Sequence, residues 1–457
     1  MDLLPWIPAV LGFSAIGCLA GFLTGLVPGF HANNLATALL LVKPVFFGFA
    51  LVTIGAAWAG PFGIALFCAF LVAAVVSHGV AAFVPSVFLG APGDASAVSV
   101  LPGHRLLREG RGHDAVAAAA RGAILGAFAS AALLLPLRWL MGPPVDGYGR
   151  AQAAIPLILA ALVVVLILSE GRRRTAASSS PRRRQRLRAA ALFLGSGALG
   201  WIVLGTDLVQ RWNWFPLPGI ATEVGSQTLL PLFTGLFGLS TLLLSARGPV
   251  AIPPQLPPSP GPVRLRRAVL SGSLAGAAVS WLPGLSSGAA TSLAQFLARR
   301  REHEDDPVEF MAALGAVGVA TNIFTVAALF IIQRARSGVA VAIRELVGAS
   351  GGWADPGTLP GLVAVVLIAG PLSALLAYPL AVRGGRVYAR VVARVPYRGI
   401  AIAVTAVLVG FVALFAGATG LVIAFAAVPL GILPPRWGVK RVHLMGALLV
   451  PVIAFSV

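Results

Sequence analysis

Two short stretches of this chain place small polar side chains directly behind a proline–glycine pair. The first reads Pro28-Gly29-Phe30-His31-Ala32-Asn33-Asn34, and the second reads Pro283-Gly284-Leu285-Ser286-Ser287 and runs on to Thr291. A third, Gly90-Ala91-Pro92-Gly93-Asp94-Ala95-Ser96, continues to Ser99. Proline removes a backbone donor and glycine admits positive φ, so each pair should stop or unwind a helix and leave main-chain groups unpaired. Freed amides, with the hydroxyls and carboxamides beside them, suit a carboxylate or another anion, by the dipole logic of helix N-termini. His31 can supply positive charge or carry a proton. Asp94 would repel an anion unless it is protonated, paired or holding a cation. It therefore reads either as an ion-coupling group or as the cap of the next helix.

The elements that must position these residues are apolar. Hydrophobic residues make up 58% of the 457 and charged residues 11%, with mean hydropathy +0.90, whereas a soluble domain carries about 25% charged residues. Apolar segments recur at 7–27, 45–75, 115–138, 152–168, 189–206 and 227–246, then at 268–282, 310–333, 358–382, 399–416, 419–434 and 442–457. The spacing predicts an all-α polytopic membrane protein with about ten to twelve transmembrane helices, some broken or re-entrant.

The formal net charge of +19 would suit nucleic acid, but the arginines lie in short loops between apolar spans, where a positive-inside bias puts them. No nucleic-acid partner is expected. Basic loops at 170–188, between Arg247 and Arg267, and from Arg383 to Arg398 are assigned to the cytoplasmic side of the cell membrane. Trp212 and Trp214 read as anchors at the opposite interface. Cys18 and Cys68 fall in apolar segments and form neither a disulfide framework nor a metal set. Met1-Asp2-Leu3-Leu4-Pro5 lacks the basic start of a cleaved signal peptide, so the first apolar stretch is expected to remain as a span.

The chain also matches itself at an offset of 255 residues. Gly17, Gly21 and Gly25 precede Leu26-Val27-Pro28-Gly29, and Gly272, Gly276 and Ser280 precede Trp281-Leu282-Pro283-Gly284. Small residues every fourth position form a stripe where two helices approach closely, which is a packing role. The Pro–Gly behind each stripe reads differently, because paired broken helices in the two halves of a transporter point to its binding site. The chain accordingly divides into a first membrane half (1–246), a proline-rich linker (247–267) acting as a semi-rigid spacer, and a second membrane half (268–457). Whether the halves run parallel or inverted stays open at this level.

These residues resemble the large permease subunit of tripartite tricarboxylate transporters. The family's glycine-rich helix ending in Leu-x-Pro-Gly is matched by Gly25 to Gly29, and its Gly-x-Pro-Gly element by Gly90 to Gly93, followed by the basic turn from Leu101 to Gly112. Leu282-Pro283-Gly284 matches the family's repeated element, and Gly315 to Thr325, with Thr321-Asn322, resembles its small-and-Asn segment. In two places the chain departs. Gln333 to Gly338 stands where the family repeats Gly-x-Pro-Gly-Ser, and His31 to Asn34 stand where glycine and threonine are usual. The resemblance implies a small membrane subunit and an extracytoplasmic binding protein as partners.

The reading that follows is a secondary transporter for a small organic anion, a di- or tricarboxylate, working by alternating access. Na+ or H+ would couple it, no other cofactor is expected, and membrane lipid surrounds it. Its substrate would bind at the junction of 28–37, 90–99, 283–292 and 321–325. The binding groups would be Pro28, Gly29, His31, Asn33, Asn34, Gly90, Pro92, Gly93, Ser96, Ser99, Pro283, Gly284, Ser286, Ser287, Thr291 and Asn322, with Asp94 and His31 in ion coupling. A lipid-phosphate translocase would use the same broken helices. An intramembrane enzyme would have to draw on His31, His78, Asp94, His104, His113 and His303. These are scattered without a His-Glu-x-x-His pair, and His104 and His113 read as part of a solvated charged loop.

Overall fold

The computed structural model describes residues 6–27, 61–89, 100–171, 181–206, 228–245, 253–256, 265–282, 306–348, 352–353, 355, 357–394 and 397–455, together with the isolated residues Leu35, Leu39, Gly48 and Ala290. Among the described residues, eight helices are long and apolar enough to cross a membrane, and two shorter apolar helices accompany them. The protein is an all-α polytopic membrane protein.

The helices fall into two bodies. The first contains α1 (Ile7–Gly25), α2 (Pro61–Ala81), α3 (Phe83–Leu89), α4 (Val100–Arg108) and α5 (Gly112–Met141). After an excursion of the chain, α6 (Ile155–Leu168), α7 (Arg182–Gly205) and α8 (Leu229–Leu244) begin the second body. The chain then returns to the first with α9 (Leu265–Ser280), α10 (Pro307–Ile331), α11 (Gly338–Val347) and α12 (Gly361–Arg394). It ends in the second with α13 (Tyr397–Trp437) and α14 (Gly446–Phe455).

The glycine stripes explain how the first body closes. A Cβ at Gly17 or Gly21 would overlap the carbonyl oxygen of Phe70 or Ala74, and one at Gly25 would strike the His78 backbone. Hence α1 lies backbone to backbone on α2. In the second half, a Cβ at Gly272 would meet the Ala313 carbonyl at 2.6 Å and one at Gly276 the Val317 carbonyl at 2.9 Å, while the Ser280 hydroxyl donates to the Thr321 carbonyl at 3.3 Å. The partners keep a register of their own: Phe70, Ala74 and His78 stand 243 residues before Ala313, Val317 and Thr321. The repeat is therefore a repeated packing as well as a repeated motif.

Its two copies run in opposite directions. Gly122, Gly126 and Gly142 of the α5 region meet Ala312, Ala316 and Ile331 in turn, so α5 is parallel to α10. The Ser373 hydroxyl donates to the Ala73 carbonyl at 2.6 Å, and Gly385 lies beside Val84 and Phe88, so α12 is parallel to α2. Yet Arg121 reaches Tyr378 at 3.4 Å while Val116 lies by Gly385, so α5 and α12 are antiparallel. It follows that α2 and α10 are antiparallel, related by a pseudo-two-fold axis across the helices. Two further helices are exchanged as well: α5 packs on α9 and α10, and α12 packs on α1 and α2.

The same geometry brings the starts of α5, α7, α9 and α10 and the end of α12 to one end of the bundle. The described arginines of all three basic segments, Arg182–Arg188, Arg266–Arg267 and Arg383–Arg398, therefore share that end. There residues 253–256 of the proline-rich segment are docked. The Gln255 side chain accepts from Gly112 N at 2.8 Å and donates to the Leu107 carbonyl at 3.2 Å, and Leu256 N donates to Gly110 O at 2.8 Å. The expected charged loop around His104 and His113 is instead two helices, α4 and α5, hinged at Gly110 with φ of 75°. The reason is that Leu106 and Leu107 bury the inner face of α4 in the main core. His113, in the first turn of α5, is half-buried with its ring 5.3 Å from that of Phe88.

The second body has its own core around Leu159, Leu192, Phe193, Leu236, Ala427 and Leu444. Among the described residues, extensive helix packing stays within each body, apart from the chain-neighbour contact where α5 turns into the next helix. α13 covers both spans expected at 399–416 and 419–434, and its break falls at Gly417, with φ of 60°. At the basic end, Glu170 Oε1 lies 2.9 Å from His443 Nε2 and accepts from Lys440 N at 3.1 Å, with both side chains buried. Burial pushes the Glu170 carboxyl up, but the His443 hydrogen bond and the Lys440 charge outweigh it and hold the group below its ordinary value.

Two outcomes follow from these contacts. Gly21→Val should force α1 off α2 and lower stability by about 1–3 kcal/mol or more, read as a lower melting temperature in detergent. A carboxylate with a depressed folded pKa adds stability that is present above the unfolded value of about 4.3 and is lost as pH falls through the folded one. The wild-type melting temperature should therefore drop across that acid range, and Glu170→Gln should flatten the drop. An unchanged acid slope in the variant would rule out Glu170 as its source.

Candidate functional site

Of the binding residues expected from sequence, Asn322 is described, within α10. Pro28, Gly29, His31, Asn33, Asn34, Gly90, Pro92, Gly93, Asp94, Ser96, Ser99, Pro283, Gly284, Ser286, Ser287 and Thr291 lie outside the described residues. The approach to both Pro–Gly pairs is nevertheless visible. α1 ends at Gly25 and α9 at Ser280, equivalent positions three residues before Pro28 and Pro283. Val27 N bonds to Thr24 O at 3.1 Å and Leu282 N to Val279 O at 3.0 Å, which closes each helix with a last tight turn.

These two helix ends come together at the crossing of α2 and α10. Gly25 packs on His78 and Ser280 on Thr321. The next residues along, Gly79 and Asn322, face each other: a Cβ at Gly79 would stand 3.7 Å from Asn322 Nδ2. They are also 243 residues apart, so the pseudo-two-fold maps one onto the other. α1 and α9 thus arrive at a single place from opposite sides of the bundle. His78, buried, places its Nδ1 3.1 Å from the Thr24 hydroxyl and holds the end of α1 there.

A hollow opens at this crossing. From Ala65 to Ala81 only Gly79 is less than buried, and from Leu314 to Ile331 only Gly318 and Asn322 are. A small cavity of about 20 Å³ lies alongside, lined by Val72, Val75 and Val76 of α2 and by Asn322, Thr325 and Val326 of α10, and closed by Ser337 and Val339 at the start of α11. That is room for about one water molecule. Thr325 spends its hydroxyl on the Thr321 carbonyl at 2.8 Å. Among the described residues, the Asn322 carboxamide has no hydrogen-bond partner, and Asn322 lines the cavity.

The start of α11 is itself a helix break. Gln333 has φ of 54°, and Ser337 caps the new helix by accepting from Ala340 N at 3.2 Å. The same 243-residue register puts Gln333–Arg336 opposite Gly90–Gly93. A serine cap and one left-handed residue thus do in the second half what Pro–Gly is expected to do in the first. Sequence reading missed Gly79, Gly318, Ser337 and the valine wall as site residues. Continuing the repeat register past the stripe helices would have paired Gly79 with Asn322, but no shared residue type marks the pair. Among the described residues, no group of His, Cys, Asp or Glu is placed to hold a metal ion.

Comparison with known proteins gives this arrangement its context. An uncharacterized protein of Methanocaldococcus jannaschii is 28% identical over 333 residues, 72% of this chain and 71% of that protein. No solved structure matches the chain. The profile of the Tripartite tricarboxylate transporter TctA family matches residues 11–446, nearly the whole chain. That is a family of transporter components, not of enzymes, and its tripartite systems imply an anionic substrate and partner subunits. With its membrane-spanning helices and its family-wide match, this chain belongs to the tripartite tricarboxylate transporter TctA family.

Proposed function

We propose that the chain is the permease of an ion-coupled secondary transporter that moves a small organic anion, a di- or tricarboxylate, by alternating access. The observation that carries the reading is that α1 and α9 each end beside the α2–α10 crossing, three residues before their Pro–Gly pairs. Two inverted helix ends at one point offer backbone donors and acceptors from both sides of the membrane, which is how many carriers hold a guest. The substrate carboxylates are held by Asn322 and by the amides and small side chains of 28–37, 90–99 and 283–292. Asp94 and His31 carry the coupling Na+ or H+. Because equivalent helices are inverted, the same contacts can face either side when one arrangement of the halves replaces the other. The basic end faces the cytoplasm of a cell membrane, where positive loops are retained. An extracytoplasmic binding protein delivers the anion to the opposite end, and a small membrane subunit completes the system.

The test is uptake of [14C]citrate and [14C]malate into proteoliposomes under imposed Na+ or H+ gradients, with partner subunits supplied. Replacing both Pro28 and Gly29 by alanine should abolish uptake while the protein still inserts and elutes as a folded species. Asn322→Ala removes a hydrogen bond to a charged group, so KM should rise about tenfold or more. Full uptake by the alanine pair would refute the broken-helix site.

A further inference from the structure

Glycines in this bundle are of two kinds. At Gly17, Gly21, Gly122, Gly200 and Gly315 a Cβ would collide with the backbone of a neighbouring helix, so packing alone requires glycine. Gly79 and Gly318 differ. A Cβ at Gly79 would meet only the Asn322 amide, at the ordinary contact distance of 3.7 Å, and one at Gly318 would meet nothing within 4 Å. Gly318 is mid-helix and Gly79 lies in the last turn of α2, and glycine inside a helix is less favourable than alanine. Both are also half-exposed in stretches that are otherwise buried, and both border Asn322: Gly318 one turn away on α10, Gly79 across the crossing. Glycine without a packing reason, beside a carboxamide with no described partner, fits close approach of a ligand to the helix backbone.

The pseudo-two-fold adds a stronger condition. Positions 79 and 322 are equivalent and adjacent, so they lie on or beside the axis. A side chain at 79 would meet the one at 322 across the crossing, with no other atom within 4 Å of its Cβ. We propose that Gly79 and Asn322 form one asymmetric pair that fixes the size and polarity of the substrate site, Asn322 supplying the amide and Gly79 the room for a carboxylate. This rests on the transport reading above. Two amides in the hollow would fill it, and none would leave the carboxylate without a donor. One amide on either helix satisfies the site, because the axis makes the two placements alike.

The experiment is an exchange of the pair, read by [14C]citrate and [14C]malate uptake and by melting temperature. Asn322→Gly and Gly79→Asn alone should each lower uptake about tenfold or more, the first by losing the donor and the second by closing the space. The double variant G79N/N322G should recover most of the wild-type rate. Gly79→Ala is the second probe. It should raise the melting temperature, since alanine suits a helix better and meets no close neighbour, yet weaken uptake by narrowing the hollow. Wild-type uptake combined with a double variant no better than Asn322→Gly, or with a Gly79→Ala protein of unchanged KM and rate, would overturn the pairing and leave the transport reading standing. A wild-type protein that takes up neither probe under either gradient would remove both.

Discussion

Everything in the first body depends on helix backbones touching. In a bilayer, apolar side chains gain little by leaving lipid for one another, so association must come from close van der Waals contact and polar links between helices. Gly17, Gly21 and Gly25 on α1, and Gly272, Gly276 and Ser280 on α9, supply that contact by removing side chains where α2 and α10 approach. The register is then fixed to the residue, because a shift by one position would set a Cβ against a carbonyl. Cys18, Ser77 and Ser373 add a polar tie where α1, α2 and α12 meet: the thiol lies 3.4 Å from the Ser77 hydroxyl and 3.6 Å from the Ser373 carbonyl. Such rigid pairs place their ends accurately, and it is their ends that matter for function.

Inversion and exchange follow as one design. Because α2 and α10 are antiparallel and the first half lends α5 and the second α12 to the other, neither half completes its packing alone. The site at the crossing is thereby shared, and no single half owns it. The second body is built differently. It relies on its own glycine contacts, such as Gly200 on Ala447 and Gly431 on Leu236, and on the buried Glu170–His443 pair near the basic end. Helix backbones of the two bodies hardly approach each other. Side chains such as Leu230, Leu239 and Val428 make the contact between them, which leaves the first body intact as a unit.

Polar groups at the end opposite the basic loops serve the fold. The Arg138 guanidinium donates to the Trp353 carbonyl at 2.7 Å and lies 5.5 Å over the Trp353 ring, and it also donates to the Pro143 carbonyl. It ties the turn after α5 to the segment after α11. Arg336 donates to Tyr148 and lies over its ring at 5.2 Å. A buried cation in a membrane protein invites a transport role, but these two are bound to the loops that hold the helices in place.

Much of the fold was written in the sequence in one-dimensional terms. Hydropathy gave the spans, the four-residue spacing of small residues gave the stripes, and the 255-residue offset gave the repeat. Even the interruption near Gly417 was legible, because glycine divides two apolar runs there. These are local properties, set by chain composition and by the water and lipid on either side. The orientation of the halves was not legible, since a sequence match carries no direction in space and an inverted copy packs its stripe as well as a parallel one. The pairing of Gly79 with Asn322, the serine-capped break at Ser337 and the docking of Gln255 on the Gly110 turn share no motif either. They arise from which helices cross, and only the folded chain decides that, because helix crossings are fixed by contacts between residues hundreds of positions apart.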